Sequence, residues 1–408
     1  MLNFITGGVC AAQGFRAGGI HVGVKTHAAW KKDVALIVSD EDCACAAVYT
    51  KNAVKAAHIH VDKRHLADGK ARAAVINSGN ANACAPMGEE NAERVCAAAG
   101  KALGCRPEDV VVAATGVIGQ TLNVAVIEQG MPELCAAAAH TAAGSDAAAH
   151  AIMTTDTVKK ELAVETVIGG KTVRMGGIAK GSGMIHPNMG TMLCFLTTDC
   201  AISSEMIKSA LLETVQVSFN RISVDGDTST NDTCCVLANG LAGNPVITEK
   251  GPDYDAFVEA LRALCVELAK KMASDGEGAT HLITCTVTGA GSEQSAETVA
   301  KSVIGSALTK AAIFGADANW GRVLCAIGYS GAQVDVRRVD VAFASAAGRV
   351  EVCRDGAGIP FSEEEAKKVL GADEIVIDIL LRDGAAGAVA WGCDLTYDYV
   401  KINGDYRT

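Results

Sequence analysis

The stretch Lys180-Gly181-Ser182-Gly183-Met184-Ile185-His186-Pro187-Asn188-Met189-Gly190-Thr191, followed by Met192-Leu193-Cys194-Phe195-Leu196, runs from a polar, glycine-rich loop straight into an apolar strand candidate. Thr191 stands at the junction. A threonine hydroxyl is a poor nucleophile unless a base takes its proton. Cutting the chain just before it supplies one, because the freed α-amino group, with an ordinary pKa of about 7.7–8.0, then lies beside the hydroxyl. Gly190 lets the backbone reach the geometry that an amide-to-ester shift requires. Taken alone, however, Thr191 reads as the ordinary first residue of a β-strand, where threonine is common.

Two further polar turns follow strand candidates. Asn77-Ser78-Gly79-Asn80-Ala81-Asn82 comes after Ala73–Ile76, and Thr115-Gly116-Val117-Ile118-Gly119 after Val110–Ala113. Backbone turned sharply at strand ends often builds active sites. The other strand candidates are Val34–Val38, Met192–Leu196, Leu282–Val287, Val339–Phe343, Arg349–Cys353 and Glu374–Leu380, and Tyr397–Asn403 reads as one more. Helices are expected over Glu90–Leu103, Leu122–Ala139, a segment capped by Ser204 and running through Met206, Ile207, Ala210, Leu211 and Val215, Asp253–Met272, Ser292–Leu308, and a short piece opened by Ser362-Glu363-Glu364-Glu365 and stopped at Gly371. Long helices between strands, with hairpin-like pairs near the end of the chain, argue for layered α/β or α+β architecture. Strand order is not readable from this pattern.

With 408 residues, the chain accommodates two or three domains or one large intertwined core. Apolar residues make up 49%, yet Gly and Ala interrupt every hydrophobic stretch, so no transmembrane span is expected despite a mean hydropathy of +0.22. The first residues lack a basic region followed by an apolar one, which argues against a secretory signal. The net charge of −11 and the absence of a Lys/Arg cluster argue against nucleic acid as a partner. The 16 cysteines contain no Cys-x-x-Cys, and they read as small buried hydrophobes in a reducing compartment. A cysteine-rich metal or redox protein is the reading to weigh against an enzyme. His58, His60 and His65 cluster in sequence without a second group of ligands, and no cofactor is expected, since neither a phosphate-binding loop nor a dinucleotide fingerprint is present.

The segment Lys180–Leu193 resembles the self-cleavage segment of the ornithine acetyltransferase family, the bifunctional glutamate N-acetyltransferases of arginine biosynthesis. The resemblance runs nearly end to end. It includes Gly14–Gly19, Asn77–Ala83, Ala114–Gly119, Met153-Thr154-Thr155-Asp156-Thr157, Ser223–Thr233, Asp275-Gly276-Glu277-Gly278-Ala279-Thr280 and Lys401–Thr408. The family pattern carries Ala before the nucleophile where this chain has Gly190. That departure bears on the rate of cleavage and leaves its route intact.

The resemblance implies Thr191 as nucleophile and Gly190–Thr191 as the scissile bond. It implies Thr115 and Gly116 as the oxyanion hole, and Thr154 (with Thr155 as the neighbouring alternative), Lys180, Thr191, Glu277, Asn403 and Thr408 as substrate contacts. The implied fold is an α-β-β-α layered, N-terminal-nucleophile-like enzyme with interleaved chains: 1–190 as the α-chain, ending at the scissile bond, and 191–408 as the β-chain. The implied activity is ping-pong transfer of acetyl from N2-acetyl-L-ornithine to L-glutamate, giving ornithine and N-acetylglutamate, with acetyl-CoA as a further possible donor. An α2β2 assembly in the cytoplasm follows from the same resemblance. The alternative within chemistry is a related N-terminal-nucleophile amidohydrolase or aminopeptidase, which gives its acyl group to water.

Overall fold

The computed structural model describes residues 2–26, 30–186 and 192–405. The chain divides into two compact units. The first comprises Met1–Gly181, Pro187–Asn220 and Thr228–Leu268, and the second comprises Ser182–His186, Arg221–Asp227 and Ala269–Thr408.

The first unit is built on a nine-stranded mixed sheet. Its strands are β1 (Asn3–Ile5), β2 (Phe15–Ile20), β3 (Val34–Tyr49), β4 (Lys70–Asn77), β5 (Val110–Ala114), β6 (Lys160–Ile168), β7 (Lys171–Lys180), β8 (Leu193–Thr198) and, past β9 (Ile222–Ser223) of the other unit, β10 (Thr233–Ala238). The order is β1-β6-β7-β8-β10-β3-β4-β5, with β2 also paired to β3. Pairs β8–β10 and β4–β5 are parallel, and the rest are antiparallel. Strands from both sides of residues 190 and 191 therefore share one sheet: Ala179 pairs with Cys194, and Cys235 with Ala47.

Both faces of this sheet are covered, which is why its central strands read as continuous apolar runs. Ala35, Ile37, Val111 and Ala113 pack on one side with helix Ala142–Ala151. Val34, Leu36, Val110 and Val112 pack on the other with helices Gly88–Leu103 and Val124–Ala137. Strand β3 is much longer than Val34–Val38. It passes through the exposed run Asp40-Glu41-Asp42, shifts register between Val38 and Cys43, and continues to Tyr49. Charged residues at that irregularity hide the continuation from any hydrophobic pattern.

The second unit holds a seven-stranded sheet made of β9, β11 (Leu282–Ala290), β12 (Asp340–Ser345), β13 (Gly348–Arg354), β14 (Ala357–Gly358), β15 (Glu374–Leu380) and β16 (Ala386–Cys393), in the order β14-β13-β12-β15-β11-β16-β9. Here the period is two. Ile283, Cys285 and Val287 join Ile375, Ile377 and Ile379 in the core, while Thr284, Thr286 and Asp378 point the other way.

Three sequence readings are corrected. Tyr397–Asn403 is no strand but lies in helix Tyr397–Gly404, whose Tyr397 and Val400 are exposed one turn apart. A short apolar run does not distinguish the two periods, and among the described residues no strand pairs with this segment. Ser292–Leu308 is not one helix. Ser292 caps Glu293–Gly305, and Ser306, in extended conformation, ends that helix and caps Ala307–Phe314 by accepting from the Thr309 amide. The cap of helix Ser204–Val217 is Ser203, which accepts from the Met206 amide. Among the described residues, no helix is long and apolar enough to cross a membrane.

Candidate active site

In the first unit, the parallel pair β4–β5 brings the two polar turns together. Asn77 pairs with Ala114 at the strand ends, and the Thr115 amide donates to the Asn77 carbonyl at 3.0 Å. Beyond that point the turns remain zipped, with Asn80 bridging both Thr115 and Val117. Gly116 has φ +127°, and a Cβ there would lie 2.6 Å from the Gly79 carbonyl carbon. Only glycine meets both conditions. The Asn231 side-chain amide donates to the carbonyls of Ala81 (2.6 Å) and Ala114 (2.7 Å), fastening the two turns from a third segment. Thr115 and Gly116 are thus held half-buried on a rigid platform.

Asp156 organises a second group in the same unit. Its fully buried carboxylate accepts from the amides of Thr154 (3.0 Å) and Gly181 (2.8 Å) and from the Lys160 ammonium (2.6 Å), with the Lys180 ammonium at 4.0 Å. Burial alone would push this carboxyl up, but Lys180 and Lys160 outweigh it and hold it well below the usual carboxylate range. Thr154 and Lys180 are therefore placed by one acid. Asp156, although part of the quoted Met-Thr-Thr-Asp run, was not itself singled out by sequence reasoning. The local turn rule does not reach it, because an Asx turn has the Asp accept from the amide two residues on, whereas Asp156 accepts from the amide two residues before it.

The start of β8 is anchored by β10. The Thr233 amide donates to the Met192 carbonyl at 2.9 Å. Beside it, Asp232 is fully buried with Oδ2 unpartnered, and burial pushes its carboxyl well above the ordinary range despite Ser229, Thr50, Lys180 and the Met192 amide. His58 lies in the same interior, with Nε2 3.3 Å from the Thr233 hydroxyl and Nδ1 unpartnered. Burial lowers it to about 4, so it is neutral at physiological pH. It reads as a core histidine rather than a metal ligand. Among the described residues, no three His, Cys, Asp or Glu side chains are grouped to hold a metal.

In the second unit, Asp225 accepts from the amides of Met184 (2.6 Å) and Ile185 (2.9 Å), and His186 Nδ1 lies 3.0 Å from the Ser223 hydroxyl. The amide of Glu277 donates to the Ser182 carbonyl at 2.9 Å. The buried Glu277 carboxylate accepts from Asn403 Nδ2 at 2.8 Å, so two of the expected substrate contacts touch one another. Asp225, Glu277 and Asp227 all bear on the Tyr399 phenol, which burial and these charges push above its usual range. Lys310, buried, donates to the carbonyls of Val224 (2.7 Å) and Cys393 (2.5 Å) and steadies the segment before Asp225.

Gly190, Thr191 and Thr408 lie outside the described residues. The cysteines are free. Most are buried, with Cys84 and Cys325 exposed, and the free thiols of Cys45 and Cys235 share a hydrogen bond at 3.5 Å.

A model of the ArgJ family matches residues 16–408. The chain belongs to the ArgJ family. The arginine biosynthesis bifunctional protein ArgJ of Symbiobacterium thermophilum is 51% identical over 408 residues, covering 100% of each chain. The protein of that name from Bacillus subtilis (strain 168) is 47% identical over 406 residues, covering 99% of this chain and 97% of its own. The solved ArgJ structure from Bacillus halodurans shares 48% identity, covers 51% of this chain and 96% of that one, and has a TM-score of 0.48. This ArgJ-family chain is an enzyme, an acyltransferase, and its setting is arginine biosynthesis. The motif resemblance is thus a family membership.

Proposed function

We propose that the chain transfers acetyl from N2-acetyl-L-ornithine to L-glutamate through an acetyl ester on Thr191, after cutting itself between Gly190 and Thr191 into pieces 1–190 and 191–408. The observation that carries this reading is the Thr115-Gly116 platform, where a positive-φ glycine and a threonine are held rigid at a strand end. Such a turn suits an oxyanion hole, in which preorganised donors meet charge that develops in the transition state.

In the first half-reaction the Thr191 α-amino group takes the hydroxyl proton. The oxygen then attacks the acetyl carbonyl, and the developing oxyanion is met by the Thr115 hydroxyl and the Gly116 amide. The C–N bond breaks, the α-amino group returns the proton to the leaving amine, and ornithine departs. Glutamate's amine reverses these steps and leaves as N-acetylglutamate. Glu277, aided by Asn403, receives a substrate ammonium. Lys180, Thr154 and Thr408 complete the substrate contacts. No cofactor takes part.

The relatives are named bifunctional, which supports acetyl-CoA as a second donor. An α2β2 assembly and a cytoplasmic location belong to the same reading. It is tested by incubating the purified protein with N2-acetylornithine and glutamate, then measuring N-acetylglutamate against free acetate. Acetate release without transfer overturns it in favour of a hydrolase.

A further inference from the structure

Lys25 was absent from every sequence reading, yet the first unit builds a position for it. Its loop is wound around the buried Asp33, whose carboxylate accepts from the amides of Val22 (2.8 Å), Gly23 (3.1 Å) and Lys25 (3.0 Å). The loop backs directly onto the oxyanion platform. The Ser78 amide donates to the Asp33 carbonyl at 2.9 Å, and a Cβ on Gly79 would lie 2.8 Å from the Lys25 nitrogen. At its other end, the Lys25 ammonium donates to the carbonyls of Met153 (2.8 Å) and Lys32 (3.0 Å). Met153 immediately precedes Thr154. Lys25 therefore joins the platform of Thr115 and Gly116 to the turn that places Thr154 and Lys180.

An ammonium has three donors, and among the described residues two carbonyls take two of them. The Lys180 ammonium and the Asp156 carboxylate, which organise the Thr154 turn, both bear on it. Both substrates of the proposed reaction carry an α-carboxylate.

We propose that Lys25 is a substrate-binding residue whose remaining N–H anchors the α-carboxylate of the acetylated amino acid. This rests on the function proposed above. Burial lowers the ammonium to about 8, helped by Lys31 and Lys180 and opposed by Asp33 and Asp156. The anchor is therefore charged at neutral pH and is lost as pH rises through about 8.

Three measurements test it. In Lys25→Gln, KM for N2-acetylornithine should rise about tenfold or more, the range for a lost charge-assisted hydrogen bond, with a smaller effect on kcat. Mono-acetylated 1,4-diaminobutane, which lacks the carboxylate, should be used equally by the variant and the parent. Lys25→Arg should restore KM and carry the alkaline loss of affinity to higher pH, because a guanidinium does not deprotonate there. An unchanged KM for N2-acetylornithine in Lys25→Gln overturns the proposal. An equal defect with both acetyl donors also overturns it, since that marks a purely structural tie. Should the parent enzyme transfer no acetyl at all, the functional reading fails first. Calorimetric titration of N2-acetylornithine into parent and Lys25→Gln then decides Lys25 separately, equal affinities counting against it.

Discussion

The Asn403 side-chain amide donates to the Glu277 carboxylate at 2.8 Å, joining the helix near the end of the chain to the Asp-Gly-Glu-Gly turn. Asn403 is exposed and Glu277 buried, so the contact orders a carboxylate that is already largely withdrawn from water. Replacing Asn403 by Ala removes that donor at little cost to folding. The expected outcome is a rise of about tenfold in KM for N2-acetylornithine, the scale of one hydrogen bond to a charged group. Steady-state kinetics on fully processed protein check this, and unchanged constants would remove the helix from the site.

Processing is read most directly by intact mass under denaturing conditions. The expected pieces have 190 and 408 − 190 = 218 residues. Thr191→Ala should leave one uncut chain, because the attacking hydroxyl is gone. Under native conditions the two pieces should still elute together. Strands β8 and β10, from the second piece, are hydrogen-bonded between β7 and β3 of the first, so separation would tear a sheet open along two edges. Free separation in native buffer would contradict that sheet.

Thr115→Ala should lower kcat by about 10²–10³, the usual consequence of losing one oxyanion donor, while moving KM far less. Gly116→Ala is a different experiment. At φ +127°, with Gly79 backbone 2.6 Å away, the added methyl forces the two turns apart, and the strain alone is worth about 1–3 kcal/mol. Both activity and melting temperature should fall in that variant. A Gly116→Ala protein as stable as the parent would mean that the turns are not zipped as described.

His58 gives a pH prediction with a definite sign. Burial holds it at about 4 in the folded chain, against an ordinary 6.5. Between these values the unfolded chain binds the extra proton, so stability is complete above pH 6.5 and falls as pH drops toward 4. The full effect is about 3 kcal/mol. Denaturant titrations at pH 7.5 and 4.5 should show a smaller loss for His58→Gln than for the parent, by about 2–3 kcal/mol. Parallel losses in the two proteins would show that His58 titrates normally.

What the sequence determined by itself is local. The β-branched runs marked the sheet cores, Ser292 and Ser362 marked helix starts, and the polar turns Asn77–Asn82 and Thr115–Gly119 were visible as glycine- and asparagine-rich breaks after strands. These are readable because periodicity, caps and turn chemistry act over a few residues. Family membership was legible for a related reason: many long motifs in one order leave little room for coincidence. Tertiary structure alone decided which turns meet. Nothing local says that Gly116 must fit against Gly79, that Asn231 fastens both turns from more than a hundred residues away, or that one buried Asp156 places both Thr154 and Lys180. It also decided that Tyr397–Gly404 is a helix, from which Asn403 reaches the Glu277 carboxylate, a contact 126 residues apart in sequence. Lys25 is the sharpest instance. In sequence it is one lysine among many, and its environment comes entirely from segments distant along the chain, whose burial and charge no short window can report.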